Sequence, residues 1–578
     1  MADVVVVGAG HNGLVAATLL ARAGLAVEVL ERADVVGGAC RTEYPYRRAP
    51  GLAASTGAYL LGLMPPELLR LLDLDLPLVR RDPHYFLPTL DGRHLLLGAD
   101  PDAARPAFAE FFTEQDARAD SALGAEVGAL REDLAPAWLA EPLPVEQTAD
   151  RYIRPALRET FVAMVRGSAI EYLDRFGFAS ETVVAMYAVT DGMPGLTGSP
   201  WSPGSGHNLL VHNMCRLPGA GGTWMVVRGG MGTVTGRLAE LAAKAGARIR
   251  LGTPVDRIEV SGGGAATGGG ATGGAATGGA TGGATGGGAT GGATGGGAAT
   301  GVVTGGAATG GATGGAATGV VTAAGEVVPA RVVLVAADAF RLPGLLGEHA
   351  PAALVGRVDS YAARSPGQTM KINLALAGLP RFAALPQLPG EPGYRGQHGS
   401  TVHLLPAPAA DGSVLTALRD GFAAAAAGRL PDAPPLEWYL HSALDPSVRD
   451  GAGNHTSALF VQGVPHEVAG SCWPAEKAAY VEHLLDLVEA FAPGTRALVV
   501  DVHALTPPEI RDHFGITSAN IHHVDNAIAF ADRMPYRVGV DGVYAGAAGC
   551  HPAGSVIGCA GHNAAQAMLA DLGLPAAS

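Results

Sequence analysis

Charge is scarce in this chain, and what there is leans negative. Lys, Arg, Asp and Glu make up 16% of the 578 residues and the formal net charge is −14, whereas about a quarter of an ordinary globular chain is charged. The acidic balance excludes the broad basic surface that nucleic acid or an anionic membrane would need. No uninterrupted apolar run approaches the roughly 20 residues of a membrane span. No transmembrane segment is therefore expected, while a peripheral membrane contact, a protein partner and self-association are all compatible with this composition. Cysteine is thinly used: Cys40, Cys215, Cys472, Cys550 and Cys559 are scattered and odd in number. None forms a C-x-x-C pair, so neither a redox dithiol nor a zinc site is suggested. His513, His522 and His523 lie near one another without a set of ligands at metal-site spacing, and no metal is expected. A reducing cytoplasm is the simplest home for such cysteines. The first strand starts at the third residue and leaves no room for a signal or transit peptide, which again gives a cytoplasmic expectation.

Glycine is what the chain has in abundance, with 84 residues, and the first of them carry a message. Asp3 to Val7 is an apolar β-branched run that ends on Gly8-Ala9-Gly10-His11-Asn12-Gly13. Leu14 to Ala23 reads as a helix stopped by Gly24, and Ala26 to Leu30 reads as a second strand that delivers Glu31, with Arg32 behind it. This is a dinucleotide fingerprint in its proper place, between strand and helix, with the acid about twenty positions on. Gly8 permits the turn, Gly10 lets the backbone approach a pyrophosphate, and Gly13 lets helix and strand pack, while the helix N-terminus faces the phosphate charge. Glu31 accepts from ribose hydroxyls, and an acid there argues against a 2′-phosphate.

A second glycine pair, Gly37-Gly38, followed by Ala39, comes soon after Glu31. This extension resembles the glutathione-reductase-like FAD-binding families, in which such a loop approaches FAD from the side. Ala53 to Leu61 reads either as the path from pyrophosphate to flavin ring or as a buried helix. Pro101 to about Ser199 is mainly helical and carries no cofactor signal, so it is assigned to a substrate-side cap. Gly229-Gly230-Met231-Gly232 lacks the spacing and acid of a second nucleotide loop and reads as a turn opening the helix Thr233 to Lys244. Strands follow at Arg248 to Leu251 and Pro254 to Val260.

Residues 262–319 are different in kind, built from Gly, Ala, Thr and two Val alone. With no charge, aromatic residue or hydrophobic period, they cannot offset their ordering entropy and are read as a disordered linker. Thr300 to Thr304 recurs as Thr318 to Thr322, so the linker looks like an expanded hairpin loop between Val260 and Val320. Further strands are expected at Arg331 to Ala337, Gln368 to Leu376, Ser457 to Gln462 and Ala497 to Asp501, with a helix from Pro474 to Phe491. Met370 and Lys371 could approach a flavin, with a sheet residue and a solvated lysine as the preferred readings. The C-terminus offers a strand at Gly542, a small-residue loop from Gly546 to Gly558 and a closing helix. Backbone amides of that loop could approach an electron-rich ring.

These motifs together, Gly8-x-Gly10-x-x-Gly13 with Glu31, Gly37-Gly38, the Gly229 turn, Val255, and Ala548 to Pro552 with Gly558, resemble the phytoene-desaturase-related FAD oxidoreductases. Gly38 to Glu43, Ser202 to Gly206 and Phe514 to His523 are most similar to the pyridine nucleotide-disulfide oxidoreductase domain-containing protein 2 subfamily. The resemblance implies an α/β (α+β) fold, a glutathione-reductase-like FAD-binding Rossmann domain interleaved with a substrate domain of sheet and helices. The FAD-binding part is expected at 1–100, 207–261, 320–342 and 536–578, and the substrate or cap part at 101–206 and 343–535. FAD is the implied cofactor, held by Gly8, Gly10, Asn12, Gly13, Glu31, Arg32, Gly37, Gly38, Ala39, Val255, Gly549, His551, Val556 and Gly558. The implied activity is hydride transfer from an unidentified hydrophobic small molecule to flavin N5. His551 is the best polar candidate near the ring, and a structural histidine reads equally well there. Two alternatives accompany this reading: a carotenoid desaturase, isomerase or amine oxidase of the same fold, and a non-enzymatic regulatory or binding protein on a flavoprotein fold.

Overall fold

The computed structural model describes residues 2–190, 198–219, 222–261, 315–362 and 366–577. Val4, Val5 and Val6 are fully buried, as a β-branched run flanked by strands on both sides should be. This first strand, β1 (Ala2–Val7), pairs in parallel with β2 (Val27–Leu30) on one side and with the strand Val327–Val335 on the other. Between them runs α1 (His11–Arg22), the crossover that a parallel pair requires. Arg248–Arg250 extends the sheet beyond β2, and Val543–Ala545 joins Val327–Val335 in parallel.

Val327–Val335 also pairs, through its first residues, with Ala317–Thr322, which lies antiparallel to Val255–Val260. The expected hairpin is therefore present, with Val260 opposite Ala317. Its second strand begins at Ala317, two residues ahead of the expected Gly319, because Ala317 is already in the ladder. Most of the expected linker, 262–314, and the Thr300 to Thr304 copy of the repeat lie outside the described residues.

A second, seven-stranded sheet runs in the order Val499–Leu505, Thr369–Leu376, His455–Gln462, Leu436–Tyr439, Thr401–Leu404, Tyr85–Pro88, His94–Leu97. Residues 85–97, expected with the cofactor part, belong here instead. Tyr85 and Phe86 pair with Thr401 and Val402, and the Phe86 ring packs edge-on against Phe382 at 5.1 Å, inside the core that the helix Trp473–Phe491 covers. The helix Ala352–Ala362 departs in the other direction: Leu354, Val358 and Tyr361 pack into the core of the first sheet. Between residues 101 and 190 the chain is helical as expected, with starts fixed by side chains such as Asp100, Thr113 and Ser168 that accept from backbone amides. Among the described residues no helix is long and apolar enough to cross a membrane.

Candidate cofactor and substrate site

The glycine turn after β1 divides its labour. Gly8 takes φ +105°, a conformation closed to most side chains. A Cβ on Gly13 would lie 2.2 Å from the Gly8 carbonyl oxygen, so Gly13 exists for packing. A Cβ on Gly10 would meet no protein atom within 4 Å; it would stand in a cavity. The N-terminus of α1 opens on the same space with no side-chain cap, leaving its first amides for an anion. Gly37 is tied to the turn by its amide, which donates to Ala9 O at 2.9 Å, and Gly38 takes φ +59° beside Gly10.

The cavity has a volume of about 920 Å³, at the upper end of the roughly 300–1,000 Å³ usual for small-molecule sites. Of the residues expected at the cofactor, Gly8, Gly10, Asn12, Glu31, Arg32, Gly37, Gly38, Ala39, Val255 and Val556 line it. Gly13 stands behind them. Gly549, His551 and Gly558 do not reach the wall, which corrects their expected places. A Cβ on Gly549 would press on Val524 at 3.1 Å, and one on Gly558 would strike Leu68 at 2.8 Å, so both glycines serve close packing. His551 is 1% exposed and its Nε2 donates to Ala137 O at 2.9 Å. Burial lowers its pKa to about 4. It anchors the C-terminal loop to the helical region, as a structural histidine does, with its ring packed 5.7 Å from that of Phe530. The loop residues that do line the cavity are Ala548 and Gly554 to Val556.

That loop is fastened from behind by Arg533. Fully enclosed, its guanidinium donates to the carbonyls of Cys550, Asp525, Ile528, Val524 and Ala548. His11, at the start of α1, and His522 both line the cavity. Desolvation holds them neutral, with pKa values of about 4 and about 3.

The other wall comes from the second sheet, and its ladder register explains the composition. Lys371 stands opposite Phe460, Phe460 opposite Glu437 and Glu437 opposite His403, one row across four strands. Met370, Ile372, Trp438 and Leu459, one place along, turn to the opposite face and fill the core. Lys371 is not the solvated lysine its type suggested. It is 4% exposed, and its Nζ donates to Ser55 O at 2.6 Å and to Gly57 O, 4.5 Å from the centre of the Tyr59 ring. Desolvation pushes its pKa well below the usual lysine range. Residues 53–61 are not helical; they form an irregular segment that bends at Thr56 and Gly57, with Thr56 to Leu60 lining the cavity. Tyr59 and Tyr439 face each other with ring centres 4.5 Å apart. Arg81, Thr401, Glu437 and Trp224 complete this end. The sequence reading missed these four. A glutamate inside the apolar strand Leu436–Tyr439 was the available signal.

Comparison with known proteins agrees with this geometry. Over 612 residues the chain is 32% identical to pyridine nucleotide-disulfide oxidoreductase domain-containing protein 2 of Mus musculus, covering 99% of this chain and 94% of that one. The chain belongs to that protein's family. Residues 13–274 also match the family of flavin containing amine oxidoreductases. The family member described here is thus an FAD-dependent oxidoreductase, and FAD is its cofactor. Among solved structures, an oxidoreductase from Methanosarcina mazei superposes with a TM-score of 0.57 at 14% identity, covering 98% of this chain and 99% of that one. Cyclohexylamine oxidase from Brevibacterium oxydans superposes with a TM-score of 0.50 at 17% identity, covering 99% of each. Such identities show the fold. Despite the family's name, all five cysteines of this member are free thiols.

Proposed function

We propose that the enzyme oxidises an apolar small molecule by delivering a hydride to N5 of FAD, the flavin being the two-electron acceptor that the protein itself lacks. One observation carries the reading. A single cavity runs from the glycine turn and Glu31 to the aromatic wall of the second sheet, and it is lined by both.

The chain's own residues have three tasks in this scheme. The amides at the start of α1 and the bare backbone at Gly10 and Gly38 receive the pyrophosphate, where a side chain would intrude. Val255, on the edge strand of the first sheet, offers its backbone to the adenine. Tyr59, Tyr439, Phe460 and Trp224 cover the substrate and keep water away from the transferring hydrogen. No general base is assigned, since His551 lies outside the cavity. A reducing cytoplasm suits the free cysteines and belongs to the same proposal.

The test is the visible spectrum of the purified protein, with the released cofactor identified after denaturation. Oxidised-flavin bands and free FAD are expected, followed by anaerobic bleaching with the right substrate. A folded protein that stays colourless after FAD is supplied would overturn the proposal.

A further inference from the structure

The substrate end of the cavity holds a cation with no ion-pair partner among the described residues. Arg81 is 4% exposed and lines the cavity. Its Nε donates to Trp224 O at 2.8 Å, and its Nη1 donates to Thr401 Oγ1 at 2.6 Å and to His84 O at 3.3 Å. These acceptors are neutral, so they aim the guanidinium without cancelling its charge. Nη2 has no acceptor among the described residues and is not sealed off, which leaves it open to the cavity.

The acid that acts on Arg81 is already engaged. Glu437 acts on Arg81 through space, but its Oε1 accepts from Gln462 Nε2 at 2.7 Å and its Oε2 from the Tyr439 hydroxyl. Among the described residues no carboxylate comes within ion-pair distance of Arg81. Lys371, on the same wall, donates to the Ser55 and Gly57 carbonyls beside the Tyr59 ring, with Glu43 acting on it through space. Burying a charge without a partner is costly, and the cost is met when a ligand brings the opposite charge.

We propose that Arg81 is a specificity-determining residue that binds a carboxylate on the substrate, while Tyr59, Tyr439 and Trp224 cover the apolar remainder. The inference rests on the oxidoreductase reading of this cavity and names its substrate class: apolar carboxylic acids. A guanidinium fork suits a planar carboxylate, with charge-assisted bonds stronger than neutral ones. An amine of the same size would meet a like charge instead.

The experiment titrates flavin-loaded protein with octanoate, octanol and octylamine, following the flavin band and the thermal midpoint. Octanoate is expected to bind roughly tenfold or more tighter than the other two, the margin of one charge-assisted contact. Arg81→Gln should erase that margin and keep the flavin, and Arg81→Lys should restore part of it. If Arg81→Gln does not fold, Thr401→Val removes the anchor of Nη1 and should weaken octanoate but not octanol. Equal binding of the three probes by the unaltered protein overturns the inference, as does loss of flavin from folded Arg81→Gln, which would give Arg81 to the cofactor. A protein that takes up no flavin overturns the oxidoreductase reading alone, because the thermal midpoint still reports whether octanoate is preferred.

Discussion

Glu31 closes on Ala9: its Oε2 accepts from the Ala9 amide at 2.8 Å, inside the glycine turn, and its Oε1 accepts from Ala33 N at 2.9 Å. The acid is thus a clasp between the ends of β1 and β2, and a ribose hydroxyl shares oxygens that already hold the backbone. Glu31→Gln turns one acceptor into a donor facing an N–H. It should cost about 1–3 kcal/mol of stability, the usual result of leaving a buried donor unpaired, and should weaken flavin retention. Urea unfolding beside flavin content would show both; unchanged stability would remove the clasp from the argument.

Gly10 and Gly13 should fail in different ways. Gly10→Val places its side chain in empty space, at φ −70°, where valine is allowed. The variant should fold like the parent and hold no flavin. Gly13→Ala brings a Cβ against the Gly8 carbonyl and should lose stability by about 1–3 kcal/mol, as overpacking does. Thermal midpoints and flavin-to-protein ratios separate the outcomes. A stable, yellow Gly10→Val would contradict the cofactor site.

His551 yields a pH prediction. Burial lowers its pKa from 6.5 to about 4, so between these values the unfolded chain binds the proton and the folded one does not. Its contribution to stability is complete above pH 6.5 and is lost as the pH falls toward 4, with a slope near 1.4 kcal/mol per pH unit by linkage. His551→Asn should flatten the stability profile by about that slope in this window and lower stability at neutral pH by about 1–3 kcal/mol. Flavin content should persist, since the ring does not line the cavity. Urea midpoints measured across the window decide the point.

The hairpin between Val260 and Ala317 should close without its long connection. Ser261 N donates to Ala316 O at 2.9 Å, and Ala316 N donates to the Ser261 hydroxyl at 3.0 Å, so the ends already meet in register. Replacing residues 262–314 by Asn-Gly should leave flavin content unchanged and raise stability by up to about 3 kcal/mol, at about 0.6 kcal/mol for each halving of loop length. A variant that loses its flavin would show that the segment has work of its own.

Much of this protein was legible locally. The run Val4–Val7, the glycine turn, α1 and Glu31 lie within one stretch, so periodicity and spacing were enough to place them. The same holds for the turn at Gly229 and the helix it opens. The hairpin at Val260 was readable from alternating residues on both sides of a segment that has none. Loops were less legible. Small residues after Gly546 pointed to a close approach, but sequence does not say to what. Gly549, Gly554 and Gly558 all press close on protein atoms, and of the three Gly554 also lines the cavity, beside Ser555.

The sequence by itself determined the cofactor end: a dinucleotide fold, an acid at the right distance and a second glycine loop. These are short-range facts, written in consecutive residues. The tertiary structure decided the substrate end. Lys371, Glu437 and Arg81 come from strands and loops far apart in the chain, and in a strand buried on both faces alternation does not tell which face sees a cavity. Only the ladder register put Lys371, Phe460 and Glu437 in one row. Only packing left Arg81 beside the aromatic wall with no carboxylate at ion-pair distance among the described residues, and only packing took His551 out of the cavity wall and made it a bolt.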